Sequence, residues 1–103
     1  MNIVSICACT VGIAHTYIAA EKLEKAAEKK GHNIKIETQG TIGVENELSS
    51  EDIKQADIVL LAVDVKVSAK ERFEGKKVIE IPTDVAIKSP NKLIEKIEQI
   101  SQQ

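Results

Sequence analysis

Ile58-Val59-Leu60-Leu61-Ala62-Val63 is an unbroken run of apolar residues. A run this short and this dry reads as a strand covered on both faces. Such strands belong to parallel sheets, where each crossover lays a helix against the sheet. The rest of the chain supplies the crossovers. Ile3 to Ala8 is a second dry run, the first strand. Ile13 to Lys30 is amphipathic, with Ile13, Tyr17, Ala20, Leu23 and Ala27 on one face and Glu21, Lys22, Lys25, Glu28 and Lys29 largely on the other. Gly31 suits the left-handed stop after such a helix. Asn33 to Glu37 alternates polar and apolar, as an edge strand with one wet face does. Gln39 to Gly43 reads as a flexible turn.

Ser50 to Ala56 opens with a cap and two acids and predicts a short helix. Ser68 to Glu74 predicts another, ending at Gly75. Lys77 to Ile81 is the fourth strand, stopped by Pro82. Ser89-Pro90 starts the last helix, whose core face is Leu93, Ile94, Ile97 and Ile100. The expectation is a single α/β domain over residues 1–103. It is a four-stranded parallel sheet in the order 2-1-3-4 with helices on both faces, a Rossmann-like three-layer sandwich.

Composition narrows the function. The chain is 43% hydrophobic and 29% charged with a net charge of −2, which fits an ordered globule. Arg72 is its one arginine, and no basic run interleaves with aromatics, so nucleic acid is not an expected partner. No apolar stretch reaches the roughly 20 residues of a membrane span. Met1-Asn2-Ile3 lacks the features of a signal peptide, and a cytoplasmic location is expected. The two cysteines and two histidines do not follow a zinc spacing, so no metal and no cofactor are expected.

The chemistry concentrates between the first strand and the first helix. In a 2-1-3-4 sheet, ligands bind at the carboxyl ends of the strands, beside the first strand, where the winding reverses. Cys9 falls there. Gln39 and Gly40 follow strand two, Asp64 strand three and Thr83 strand four, and all four are expected on the rim facing substrate or partner. Cys7 lies inside the strand and is expected to be packed. Gly12 lets backbone approach a bound group closely, or is a plain turn glycine. A helix start favours negative charge, and the same field makes a nearby thiol a nucleophile. His15 could donate to a phosphate or pair with the thiolate. Thr16 could offer its hydroxyl to an anion or bond the helix backbone.

Low-molecular-weight tyrosine phosphatases carry a cysteine, five residues, then arginine and Ser or Thr. Here Cys9 is followed by five residues, then His15 and Thr16. The missing arginine fork, which grips phosphate bidentately, argues for a cysteine that holds a phosphoryl group rather than hydrolysing it.

Ala8-Cys9, Gly12 to Tyr17 and Ala19-Ala20-Glu21 resemble the active-site signature of a known family. Ile36 to Gly43, Glu45 to Leu48, Glu51-Asp52-Ile53, Ala56-Asp57 and Glu71-Arg72-Phe73 match in order. The family is the enzyme IIB component, fructose type, of bacterial phosphoenolpyruvate-dependent sugar phosphotransferase systems. The resemblance implies that Cys9 takes phosphate from a phosphohistidine of component IIA. Cys9 would then pass it to a sugar, by default fructose, at membrane component IIC. It implies that Thr10, Val11, Gly12, Ile13, Ala14, His15 and Thr16 cradle the phosphate. The family commonly reads Cys-Pro-Thr-Gly where this chain has Cys9-Thr10-Val11-Gly12. Thr10 frees a torsion that proline fixes, and Val11 removes a hydroxyl. A phosphatase-like hydrolase and a non-catalytic regulatory domain of the same fold are the alternative readings. Tyr17-Ile18 and Phe73 are candidate docking contacts, with core packing the alternative reading for all three and the favoured one for Tyr17.

Overall fold

The computed structural model describes residues 1–9, 13–40, 43–67 and 70–102. Its strands are β1 (Asn2–Ala8), β2 (Asn33–Gly40), β3 (Gly43–Glu45), β4 (Ile58–Val63) and β5 (Val78–Ile81). Its helices are α1 (Ile13–Lys29), α2 (Ser50–Gln55), α3 (Thr83–Lys88) and α4 (Pro90–Ser101), with a 3-10 turn at Lys70–Phe73. The sheet order is β3-β2-β1-β4-β5. β2, β1, β4 and β5 are mutually parallel, which is the expected 2-1-3-4 arrangement.

The expectation needs one correction at the edge. Of the expected turn, Gln39 and Gly40 extend β2 and Gly43 opens β3, which runs antiparallel to β2 and pairs Thr38 with Glu45 and Gln39 with Val44. The sheet therefore has five strands, and the carboxyl half of β2 is not an edge. A second element was also unforeseen: α3 follows Pro82 directly, so β5 leads into a helix rather than a loop.

The apolar strands are dry on both faces because two cores flank them. On one side Ile3 and Cys7 of β1 and Ile58, Leu60 and Ala62 of β4 meet Leu23 and Ala27 of α1 and Leu93, Ile94 and Ile97 of α4. On the other, Val4, Ile6, Val59 and Leu61 meet Leu48, Ile53 of α2 and Phe73. Alternate residues of each strand feed opposite layers, as the period of two requires. Burying a side chain such as Leu60 or Ile94 contributes about 1.5–3 kcal/mol.

Helix α1 buries Leu23 and Ala27 as expected, but its inner face is rotated away from Tyr17. Thr16, Ala19, Leu23, Ala26 and Ala27 are buried, whereas Tyr17 is 43% exposed. Phe73 is 3% exposed and belongs to the core, so it is no surface contact. α1 ends as foreseen, with Gly31 at φ 78°. The Gly31 and His32 N–H groups donate to the carbonyls of Glu28 and Ala27, satisfying the last turn. Ser49, rather than the expected Ser50, caps α2 through a reciprocal box, its hydroxyl accepting from the Asp52 N–H while the Asp52 carboxylate accepts from the Ser49 N–H.

Candidate active site

Parallel strands deliver their ends to one side of the sheet, and that side collects the chemistry. Cys9 follows the last residue of β1, and Asp64 follows the last residue of β4. The Asp64 N–H donates to the Ala8 carbonyl at 2.9 Å, which locks the two strand exits together. His15 sits in the first turn of α1 and reaches back. Its Nδ1 lies 2.8 Å from Cys9 Sγ. Its Nε2 lies 3.8 Å from Asp84 Oδ1, at the start of α3.

Asp64 is held from the far side by Thr83. The Thr83 N–H donates to Oδ1 at 3.1 Å and its hydroxyl to Oδ2 at 2.6 Å. These bonds, led by the hydroxyl, hold the Asp64 carboxyl below its ordinary range, and the Cys9 thiol and His15 add to the effect. Thr83 itself is fully buried. It stands behind the rim and fixes Asp64 rather than meeting a partner. Cys9, His15 and Asp64 bring one sulfur, one nitrogen and one oxygen within 4.8 Å of one another.

Beside Cys9 a shallow depression of ≈ 340 Å³ is lined by Ala8, Cys9, Gln39, Gly40, Val65 and Lys66. Gln39 and Gly40 thus stand where strand two was expected to place them. Gln39 is tethered from below, its Nε2 donating to Glu37 Oε2 at 2.7 Å. Glu37 is buried and takes a two-pronged contact from Arg72, at 2.9 and 3.1 Å, plus the Leu48 N–H. Burial pushes its carboxyl up, but Arg72, Gln39 and Leu48 together outweigh burial and hold it below the usual range.

Of the expected cradle, Thr10, Val11 and Gly12 lie outside the described residues. Ile13 and Ala14 form the first turn of α1, and Ala14 is exposed. Thr16 is 1% exposed, on the inner side of the helix. Cys7 is fully buried, and burial pushes its thiol up to about 12. Neither cysteine is in a disulfide. Asp84 and Lys66 are site neighbours that the sequence reading missed. Pro82-Thr83-Asp84, a proline followed by a small polar residue and an acid, is a helix-start pattern that could have flagged Asp84.

A doubly wound parallel sheet with a thiol at its switch point defines a class of α/β domains whose ligands bind at the carboxyl ends of the strands. The family comparison places the chain within that class. The family model described as PTS system, Lactose/Cellobiose specific IIB subunit matches residues 4–96, and the chain belongs to this IIB family. Its relatives point to the fructose-like branch. PTS system fructose-like EIIB component 2 of Escherichia coli K12 is 47% identical over 94% of this chain and 92% of its own length. Component 1 from the same strain is 43% identical over 96% and 92%.

Solved structures agree. The solution structure of an enzyme IIB subunit of the PTS system from Escherichia coli K12 superposes with a TM-score of 0.91 at 42% identity, covering 99% of this chain and 97% of that one. A domain of the fructose-specific IIABC component of Borrelia burgdorferi gives 0.86 at 50% identity, covering 91% and 89%. No helix among the described residues is long and apolar enough to cross a membrane.

Proposed function

We propose that this chain carries a phosphoryl group on Cys9 between a phosphohistidine of component IIA and a sugar, fructose or a close relative, held by membrane component IIC. The observation that carries the reading is Cys9 Sγ, half-buried at the carboxyl end of the central strand, 2.8 Å from His15 Nδ1. In the first step sulfur attacks phosphorus, the S–P bond forms and the N–P bond of the donor breaks. His15 Nδ1 is placed to take the thiol proton as this happens. In the second step a sugar hydroxyl attacks phosphorus, the O–P bond forms, the S–P bond breaks with its electrons returning to Cys9 as the thiolate, and the hydroxyl proton leaves to solvent. Such transfer rests on positioning and charge more than on covalent help from the protein.

The partner-facing rim would be Gln39, Gly40 and Asp64, with Tyr17, Ile18, Val44 and Val65 as exposed apolar contacts. Small, short-lived interfaces suit a carrier that must meet two partners in turn. Arg72 favours this reading over hydrolysis. The chain's one arginine forks onto Glu37, so that fork is engaged in the scaffold. A phosphatase would need it on phosphate.

The test is phosphorylation by phosphoenolpyruvate, the general phosphotransferase components and a fructose-type IIA. One phosphate per chain is expected, lost in Cys9→Ser and kept in Cys7→Ser. Label that survives Cys9→Ser, or brisk turnover of an aryl phosphate by the isolated chain, would sink the proposal. Stable absence of label in the wild type would favour a regulatory domain instead.

A further inference from the structure

We propose that Cys9, His15 and Asp64 form a binding site for one borderline-soft divalent cation of the zinc type, and that the filled site cannot be phosphorylated. The three donors are a thiol sulfur, an imidazole nitrogen and a carboxylate oxygen, all within 4.8 Å of one another. Those are the ligand types zinc selects, and three protein ligands leave a fourth position open. A tetrahedral zinc sets its ligand atoms roughly 3.3–3.6 Å apart, from bonds of about 2.0–2.3 Å. Cys9 Sγ and His15 Nδ1, now 2.8 Å apart, need to part by less than an ångström. Side-chain rotation supplies that without moving backbone.

The surroundings strengthen the case. A metal-bound histidine usually turns its other ring nitrogen toward a carboxylate, and ligating carboxylates are themselves hydrogen-bonded. His15 presents Nδ1 to the cluster and Nε2 toward Asp84 Oδ1, 3.8 Å away. Asp64 is gripped through both oxygens by Thr83, a residue with no exposure of its own. The supporting residues thus come from α3, the supported ones from the exits of β1 and β4 and the first turn of α1. This assembly explains why residue spacing carries no zinc signature: the set is made by the fold, not by a local motif. Cys9 and His15 are half-buried and Asp64 is exposed, so a cation can enter from solvent.

Binding forms a metal–sulfur bond, and the thiol proton leaves to solvent. A thiolate, a carboxylate and a neutral imidazole then balance the two charges of the cation. The sulfur lone pair is committed to metal and cannot attack phosphorus. That consequence rests on the carrier role proposed above; the binding itself does not.

The experiment titrates the full chain with zinc by calorimetry, and with cobalt by absorption, which reports a thiolate-to-metal charge-transfer band. One equivalent is expected, with the band lost in Cys9→Ala and kept in Cys7→Ala. His15→Ala and Asp64→Asn should each weaken zinc roughly tenfold or more, with circular dichroism confirming that each variant is folded. No binding by wild type, binding that survives Cys9→Ala, or affinity indifferent to both His15→Ala and Asp64→Asn would overturn the site; the last would mean a bare thiol adduct. In a second arm, zinc should stop phosphate labelling and a chelator should restore it. Labelling that continues at saturating zinc would overturn the claim of exclusion. If wild type takes no phosphate at all, the carrier role fails while the titrations still decide the metal site.

Discussion

Cys7 and Cys9 sit two residues apart on one segment, and their surroundings could hardly differ more. Cys7 is inside β1, fully buried, its thiol pushed up to about 12 by loss of water. Cys9 is just past the strand's end, against His15 and Asp64. The carboxylates repeat the contrast. Glu37 is sealed in the sheet beneath Arg72, while Asp64 stands exposed on the rim. What separates structural from chemical groups here is depth along a strand, not residue type. A parallel sheet makes that depth decisive, because every strand of the parallel set ends on the same side.

The sharpest way to break the comparison is alkylation of the native chain by iodoacetamide. Cys9 should react first, and Cys7 should lag by roughly a thousandfold, because it must await an unfolding event of several kcal/mol. Mass spectrometry of peptides decides the order, and a Cys7 that reacts first would erase the distinction. Next in size is Arg72→Met. It leaves the Glu37 charge buried without its main partner, and should cost about 3–5 kcal/mol in urea unfolding. Asp64→Asn, on the rim, should cost well under half of that.

Smaller again is the pair Cys7→Ser and Cys9→Ser. A hydroxyl in place of Cys7 should lower stability by about 1–2 kcal/mol, whereas Cys9→Ser should stay within about 0.5 kcal/mol. Equal losses would mean that Cys9 is also a packing residue.

The least effect is expected from acid. The folded carboxyls of Glu37 and Asp64 lie below their ordinary values. Their contribution to stability is therefore complete above the unfolded carboxyl range, about pH 4, and is lost as pH falls below it. Urea midpoints measured from pH 5 to pH 3 should fall, and Glu37→Gln should flatten the slope.

How much of this was legible follows from the residues concerned. Ile58 to Val63 announced a central strand because six apolar side chains leave no wet face, and its observed limits are those expected. Cys9 was legible because the strand's apolar run stops just before it. β3 was not: a three-residue strand bounded by glycine has no room for an alternating pattern. The inner face of α1 is legible at Leu23 and Ala27, but its edge is not, because alanines at 19, 20, 26 and 27 fit either side of the boundary. Small side chains carry little directional signal, so periodicity places Tyr17 on the inner stripe with Leu23 and Ala27, and the structure exposes it. Phe73 reads equally as surface contact or core from sequence, because nothing local shows that a 3-10 turn folds it over the second core. The contacts of Thr83 and Asp84 join distant elements, so they belong to topology rather than to pattern.

Tyr17 leaves one practical legacy. Its phenol donates to the Glu45 carboxylate, joining the first turns of α1 to β3. The chain has one tyrosine and no tryptophan. Phe73 absorbs only at shorter wavelengths, so emission in the tyrosine band comes from a single ring, two residues along the helix from His15. A carboxylate that accepts from an excited phenol dims it, so this lamp is partly shuttered. Any event at the site that draws Glu45 away would open the shutter, and the molecule would signal the change with no dye attached.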